Sequence, residues 1–260
     1  MQHARRPRSL SWLCALVLSF SGAAHAESSL RLEWPAAMGK IPATTYDEKR
    51  VAVGASEVEM KRLENGNLSV SLETRIEGGA STAMAALFEP MQDTERLRPV
   101  YQRSRSLNEA REPLGMLEID HRTGVARCHG PDGKPKGELQ LPEADRVANA
   151  TLNLLFLPLV RQETDTIEFQ LFFCGLGMRL VDFEARRAPE GSDNPLVEVR
   201  YAPDLGIANL LAPAFLPKLS FWFAAQAPHR WMAHRVPLYG RGPEVFVVRD
   251  GVPVNWLSDR

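Results

Sequence analysis

Between Leu68 and Ile76 the chain alternates without a fault. Leu68, Val70, Leu72, Thr74 and Ile76 fall on one face, and Ser69, Ser71, Glu73 and Arg75 on the other. Side chains of an extended strand alternate between faces, so this period of two predicts a sheet with one dry and one wet side. Asn65-Gly66 precedes it and Gly78-Gly79 follows it. Asn-Gly predicts a hairpin through a type I′ turn, whose two central residues need positive φ. A strand of this kind must be completed by similar neighbours, and the chain supplies them. Val51, Val53, Val58 and Met60 alternate loosely, and Leu97–Leu107 reads as a strand with Pro99 near its start. Leu114–Cys128 reads as a hairpin turning at His121–Gly124. Ile167, Phe169, Leu171 and Phe173 alternate with Glu168, Gln170 and Phe172. Leu180–Glu184 pairs back, Leu196–Tyr201 follows, and Leu219–Asn255 closes the chain with further strands. No βαβ rhythm and no glycine-rich phosphate loop interrupts this order.

Two stretches depart from it. Val147, Ala148, Thr151, Leu154 and Leu155 recur at helical spacing, so Ala144–Leu157 predicts one helix, stopped by Pro158. Leu205–Pro217 is an apolar connector punctuated by proline, and Ala80–Phe88 reads as a helical turn or a bent strand. The expected fold is mainly β: a strongly curved antiparallel sheet or partial barrel of about ten strands. One or two short helices cover its concave face. Residues 27–45, with Trp34, are expected to form an extended arm, and 46–260 a single β-rich domain.

The first 26 residues read as a secretory signal: Arg5, Arg6 and Arg8, then the apolar run Leu10–Phe20, then Ala24-His25-Ala26. Cleavage after Ala26 and a periplasmic or secreted destination are expected. With a formal net charge of −1 over 260 residues, nucleic acid is not an expected partner. Cys14 lies in the leader, leaving Cys128 and Cys174. In an oxidising compartment these two can form a disulfide, the alternative being two buried thiols. No metal and no cofactor is expected, because Cys128-His129 has no second Cys/His pair at ligand spacing.

Tyr46, Val51, Val53 and Gly54 open a run that passes through Leu97–Tyr101 (LRPVY) and the Ile119–Ala126 hairpin (IDxxTGxA). It continues to Leu141–Arg146 (LPxxDR) ahead of the helical stretch. This order of motifs, over about Tyr46–Val248, resembles domain-of-unknown-function family 3108 of bacterial envelope proteins. The resemblance implies an exported, largely antiparallel β protein. By looser analogy it is similar to periplasmic lipoprotein carriers, in which a curved sheet wraps an apolar cavity closed by helices. It implies no catalytic residues.

Candidate sites follow from the residues. Phe221, Trp222 and Phe223 are consecutive, so a strand there is apolar on both faces and needs a cover on each. With Leu155, Phe169 and Phe173 they form the candidate lining for an apolar or lipidic ligand, or for a lipidated partner. The second reading is a structural or assembly factor acting through an edge strand or the 237–244 loop. The third is a hydrolase using His229 or His234. No nucleophile elbow is present, and strand parity puts His234 with Met232 and Val236, opposite Trp231. Asp120-His121 reads as a hairpin tip. The chain is therefore expected to be a non-enzymatic binding protein, with an envelope protein as the other possible partner.

Overall fold

The computed structural model describes residues 30–92, 94–175, 177–189, 194–204, 219–239 and 242–257. The leader, its cleavage point and the Leu205–Pro217 connector lie outside the described residues. The strands are β1 Leu32–Glu33, β2 Gly39–Tyr46, β3 Ala52–Arg62, β4 Leu68–Ile76 and β5 Ser81–Pro90. They continue with β6 Arg96–Leu107, β7 Pro113–Asp120, β8 Val125–His129, β9 Pro135–Gln140 and β10 Thr166–Phe173. The last are β11 Arg179–Arg187, β12 Leu196–Pro203, β13 Leu219–Ala224, β14 Trp231–Pro237 and β15 Glu244–Arg249. Two single-turn helices, α1 Leu152–Leu155 and α2 Leu157–Val160, lie between β9 and β10. Neighbouring strands pair antiparallel in the order β10-β11-β12-β13-β14-β15-β2-β3-β4-β5-β6-β7-β8-β9, with β1 beside the start of β6.

The architecture is the expected curved antiparallel sheet, with more strands than the sequence suggested. Part of the surplus comes from the described residues of the expected arm, 30–45. They supply β1 and β2, and β2 sits inside the ladder between β15 and β3. The strand was hidden because, of its inward positions Ile41, Ala43 and Thr45, only Ile41 is strongly apolar. Thr45 is tolerated in the interior because its hydroxyl is 2.8 Å from Ser56 Oγ, itself 2.8 Å from Thr74 Oγ1. Pro42 is tolerated because the β15 ladder ends one residue away, at Ala43 opposite Arg249. Ala80–Phe88 resolves as strand β5, and Pro99 lies where a register shift occurs between β5 and β6.

The Asn65-Gly66 hairpin forms, with a different turn. Gly66 N–H donates to Leu63 O and Leu63 N–H to Asn67 O, and only Gly66 has positive φ, at 86°. This is the longer loop that ends in a left-handed glycine rather than the two-residue type I′ turn.

The single helix expected over Ala144–Leu157 is also corrected. Val147 forms a parallel bridge with Gln170 of β10, and Ala148 N–H donates to Gln170 O. Thr151 turns left-handed at φ 62°, and only then do α1 and α2 begin. The apolar spacing was real, but tertiary pairing to the β10 edge outweighed a weak local helix preference. Gln102 on β6 anchors this departure. Its Oε1 accepts from Ala150 N–H at 2.7 Å, and its amide nitrogen lies 2.6 Å from His121 Nε2. Gln102→Ala is expected to cost about 1–3 kcal/mol, because it orphans buried groups. Urea unfolding measures this, and a loss below about 0.5 kcal/mol, as at an ordinary surface site, would remove Gln102 as the anchor.

Among the described residues no ladder joins β9 to β10, so the sheet is not closed. Its ends overlap instead. Phe172 and Leu180 face away from Phe169 and Phe183, yet Phe172 is fully buried. It packs with Ile119, Ala126, Cys128 and Val147 in a cluster separate from the main core. Ile119 lies opposite Gln102 and Ala126 opposite Ile119, so these residues continue the inward face. The concave face of β7–β9 thus covers the convex face of β10–β11, as in a scroll. Cys128 and Cys174 are joined by a disulfide across this overlap, with Cα atoms 5.6 Å apart.

Candidate functional site

The concave face carries Phe169, Phe221 and Phe223 of the aromatic residues singled out in the sequence, together with others that were not. Phe169 on β10, Phe183 on β11, Tyr201 on β12 and Phe221 and Phe223 on β13 follow one another on the inner wall. The segment Leu152–Val160 enters this concavity. Its Leu152, Leu154, Leu155, Phe156, Leu157, Leu159 and Val160 are all buried in the main core. Phe156 is the centre of contact. Its ring lies 5.8 Å from Phe169, 5.5 Å from Tyr201 and 5.5 Å from Phe221 by centroid. Two of these pairs are edge-to-face, an arrangement aromatic quadrupoles favour. Tyr201 is buried here, and burial raises its phenol well above the ordinary tyrosine range.

Leu155, Phe169, Phe221 and Phe223 therefore come together, with the chain's own helical segment filling the space between walls. Phe173 lies at the exposed end of β10, stacked 6.2 Å from Phe183. Trp222 is on the convex face, covered by Leu257 and the neighbouring Val252 and Val254. Of the two covers this strand needs, the one over Trp222 is the C-terminal strap, held by Arg50. The Arg50 guanidinium donates to Val254 O at 2.8 Å and Leu257 O at 2.7 Å. Sequence reasoning missed Phe156, Phe183 and Tyr201. Phe156 directly follows Leu155, but the expected single helix gave no reason to single it out. Phe183 alternates in phase with Val181 on β11, a signal that was available.

Parity placed His234 correctly with Val236 but put Trp231 and Met232 on the wrong faces relative to it. A register shift between β13 and β14 pairs Trp222 with Ala233 but Phe223 with Trp231. The extra residue, Met232, goes outward with Ala233, which turns Trp231 inward beside His234. The two rings lie 5.5 Å apart, and His234 stacks 5.1 Å from Phe221. Both are buried, and neither His234 Nδ1 nor Trp231 Nε1 has a hydrogen-bond partner. Burial lowers the His234 pKa from 6.5 to about 4, so the ring is neutral at pH 7. His229 sits outside the strands after the cis Ala227-Pro228 bond, its Nδ1 3.1 Å from Ala224 O. Among the described residues neither histidine is bonded to a carboxylate, the geometry a hydrolytic dyad would need.

Asp120 accepts from the Arg122 and Thr123 N–H groups in a turn, and His121 Nδ1 lies 2.7 Å from Ala144 O. In the 237–244 loop Tyr239 is docked: it donates its hydroxyl proton to Glu109 at 2.8 Å, across to the β6–β7 hairpin. Residues 240–241 of that loop lie outside the described residues. The described residues contain no group of three or more His, Cys, Asp or Glu arranged to hold a metal. None of their helices is long and apolar enough to cross a membrane.

Comparison with known proteins adds one structural likeness. No family model and no curated protein matches the chain. A solved structure of a β-barrel-like protein of the domain of unknown function DUF1849, from Brucella abortus, is similar with a TM-score of 0.42 at 9% identity. The alignment covers 80% of this chain and 94% of that one.

Proposed function

We propose that this is an exported, non-enzymatic envelope protein that binds an apolar or lipidic ligand, or a lipidated partner, in the concavity of the sheet. The observation that carries the reading is the aromatic slot around Phe156. Its walls are apolar, and its occupant is a short segment of the same chain. Helices of one turn have little stability of their own, so α1 and α2 stay in place chiefly by burial, helped at the end of α2 by Arg187, which donates to Val160 O at 3.2 Å. An apolar ligand could substitute for the segment with little change in the chemistry of the walls. The signal-like leader, the disulfide and the motifs resembling family 3108 support export to the cell envelope.

Gentle purification followed by native mass spectrometry is expected to find a co-purifying lipid. Phe156→Ala removes three ring contacts from the occupant and shifts the balance toward an emptied slot. Each such pair is worth about 0.5–1.5 kcal/mol, so affinity for a long-chain fatty acid should rise roughly tenfold. Clean apo spectra together with unchanged fatty-acid binding in the variant would sink the reading.

The assembly reading is less favoured. The outermost strand of the β7–β9 end, β9, begins at Pro135, with Lys134 just before it and Lys136 as its second residue. Proline and lysine on an edge are features that discourage strand addition.

A further inference from the structure

We infer a second, separate binding site at the rim of the sheet, for a phosphate-bearing anion. A cleft of about 800 Å³ lies where the β4–β5 hairpin meets β6 and the hairpin that follows it. Its apolar lining comes from Ile76, Ala80 and Leu107, and its charge from Arg75, Arg105 and Arg111. Glu73 is the one carboxylate lining it, and it is already engaged, accepting two bonds from Arg75 at 3.0 and 2.7 Å. Among the described residues the side chains of Arg105 and Arg111 make no ion pair and no hydrogen bond. The nearby Glu109 is turned to Tyr239, whose hydroxyl it accepts. The cleft therefore holds two uncompensated guanidinium groups, the fork-shaped donors best matched to phosphate oxygens.

The backbone positions the second of these arginines. Arg111 has φ 63°, the left-handed region that glycine or asparagine fills at least cost in such a turn. Arg50 takes the same conformation, at φ 63°, in the identically bonded turn from Asp47 to Val51, so the conformation belongs to the turn, and here the turn brings the Arg111 side chain to the cleft. Gly79 fixes the approach of the two hairpins. A Cβ on it would lie 2.4 Å from Glu109 O and 2.9 Å from Arg111 Cγ, and its φ is 129°.

A phosphate group could reach this cleft free in solution or as the head of a phospholipid, and the apolar lining suits either small esters or a glycerol backbone. The test uses the mature chain with three probes: inorganic phosphate, vesicles of phosphatidylglycerol, and vesicles of phosphatidylcholine. Calorimetry or flotation reads binding at low and high salt. Binding of phosphatidylglycerol vesicles over phosphatidylcholine, weakened by salt, identifies a lipid head; binding of phosphate alone identifies a free ligand. In either case Arg105→Gln should weaken binding by about tenfold or more, as expected for a lost charge-assisted hydrogen bond. Arg111→Gly should weaken it comparably while leaving thermal stability equal or higher, because glycine relieves the left-handed turn. That opposite movement of binding and stability is what a merely structural arginine would not produce. No binding of any probe, or equal binding by the doubly substituted chain, overturns the inference. Neither result bears on the fatty-acid slot around Phe156, which lies on the concave face.

Discussion

Replacing Cys128 and Cys174 together by alanine is expected to lower stability by about 4 kcal/mol. That figure is the loop-closure entropy released when a cross-link spanning 46 residues is removed. The loss should be local in character. The disulfide lies where the ends of the scroll overlap, and few backbone bonds help it there. Ala148 donates to Gln170 O, and the Asn149 side chain bonds the N–H and O of Phe172 at 2.8 and 2.7 Å. The rest of the overlap is the small cluster of Ile119, Ala126, Cys128, Leu141, Val147 and Phe172. Amide hydrogen exchange should therefore accelerate in β7–β11 ahead of β2–β5, which are joined by continuous ladders. The same pattern should follow addition of a dithiol reductant to the unsubstituted protein. A loss under about 1 kcal/mol, a fraction of the loop-closure value, or uniform acceleration of exchange, would show that the overlap stands without its cross-link.

Acid should destabilise the protein through His234. Its folded-state pKa is about 4 and its ordinary value 6.5, lowered by burial. The unfolded chain binds the proton more readily, so stability is complete above pH 6.5 and declines as pH falls toward 4. Below that the loss is constant. The span corresponds to roughly 3 kcal/mol at full effect. His121 acts in the same direction, since burial lowers its pKa against the opposing hydrogen bond that its ring donates to Ala144 O. His234→Phe keeps a flat ring against Phe221 and Trp231 and removes the titration. The variant should match the unsubstituted protein near pH 7.5 and exceed it near pH 4.5, retaining only the slope due to His121 and the carboxylates. Urea midpoints at the two pH values measure the difference. Parallel pH profiles for the two proteins would mean that His234 is solvated in solution.

Both predictions rest on features that were only half legible in the sequence. Cys128 and Cys174 were paired by counting, but what their bond does depends on the overlap of β8 with β10. His234 was noticed, then assigned by parity to the face opposite Trp231. One extra residue at the β13–β14 register shift reversed that assignment. Parity is a local rule, and a bulge breaks it without any strong sequence mark.

The sequence by itself determined the elements whose signal is short-ranged. Strand β4 runs over Leu68–Ile76 as its alternation requires, because side chains on a pleated backbone must alternate. The β7–β8 hairpin turns where Asp120 and Gly124 place it, and the three closing strands separate at Pro228 and at the loop containing Pro243. Only the tertiary structure decided what those strands enclose. The face on which Phe172 is buried depends on strands more than 30 residues away in sequence rolling over it. Whether Leu152–Val160 forms a long helix or two single turns depends on Val147 and Ala148 finding the edge of β10. The occupant of the aromatic slot follows from that pairing. Hydrophobic burial is non-directional, so a run of apolar residues states that it will be covered and leaves the cover to whatever the fold brings near. For Phe221 and Phe223 that cover is Phe156 and its helical segment; for Trp222 between them it is the C-terminal strap.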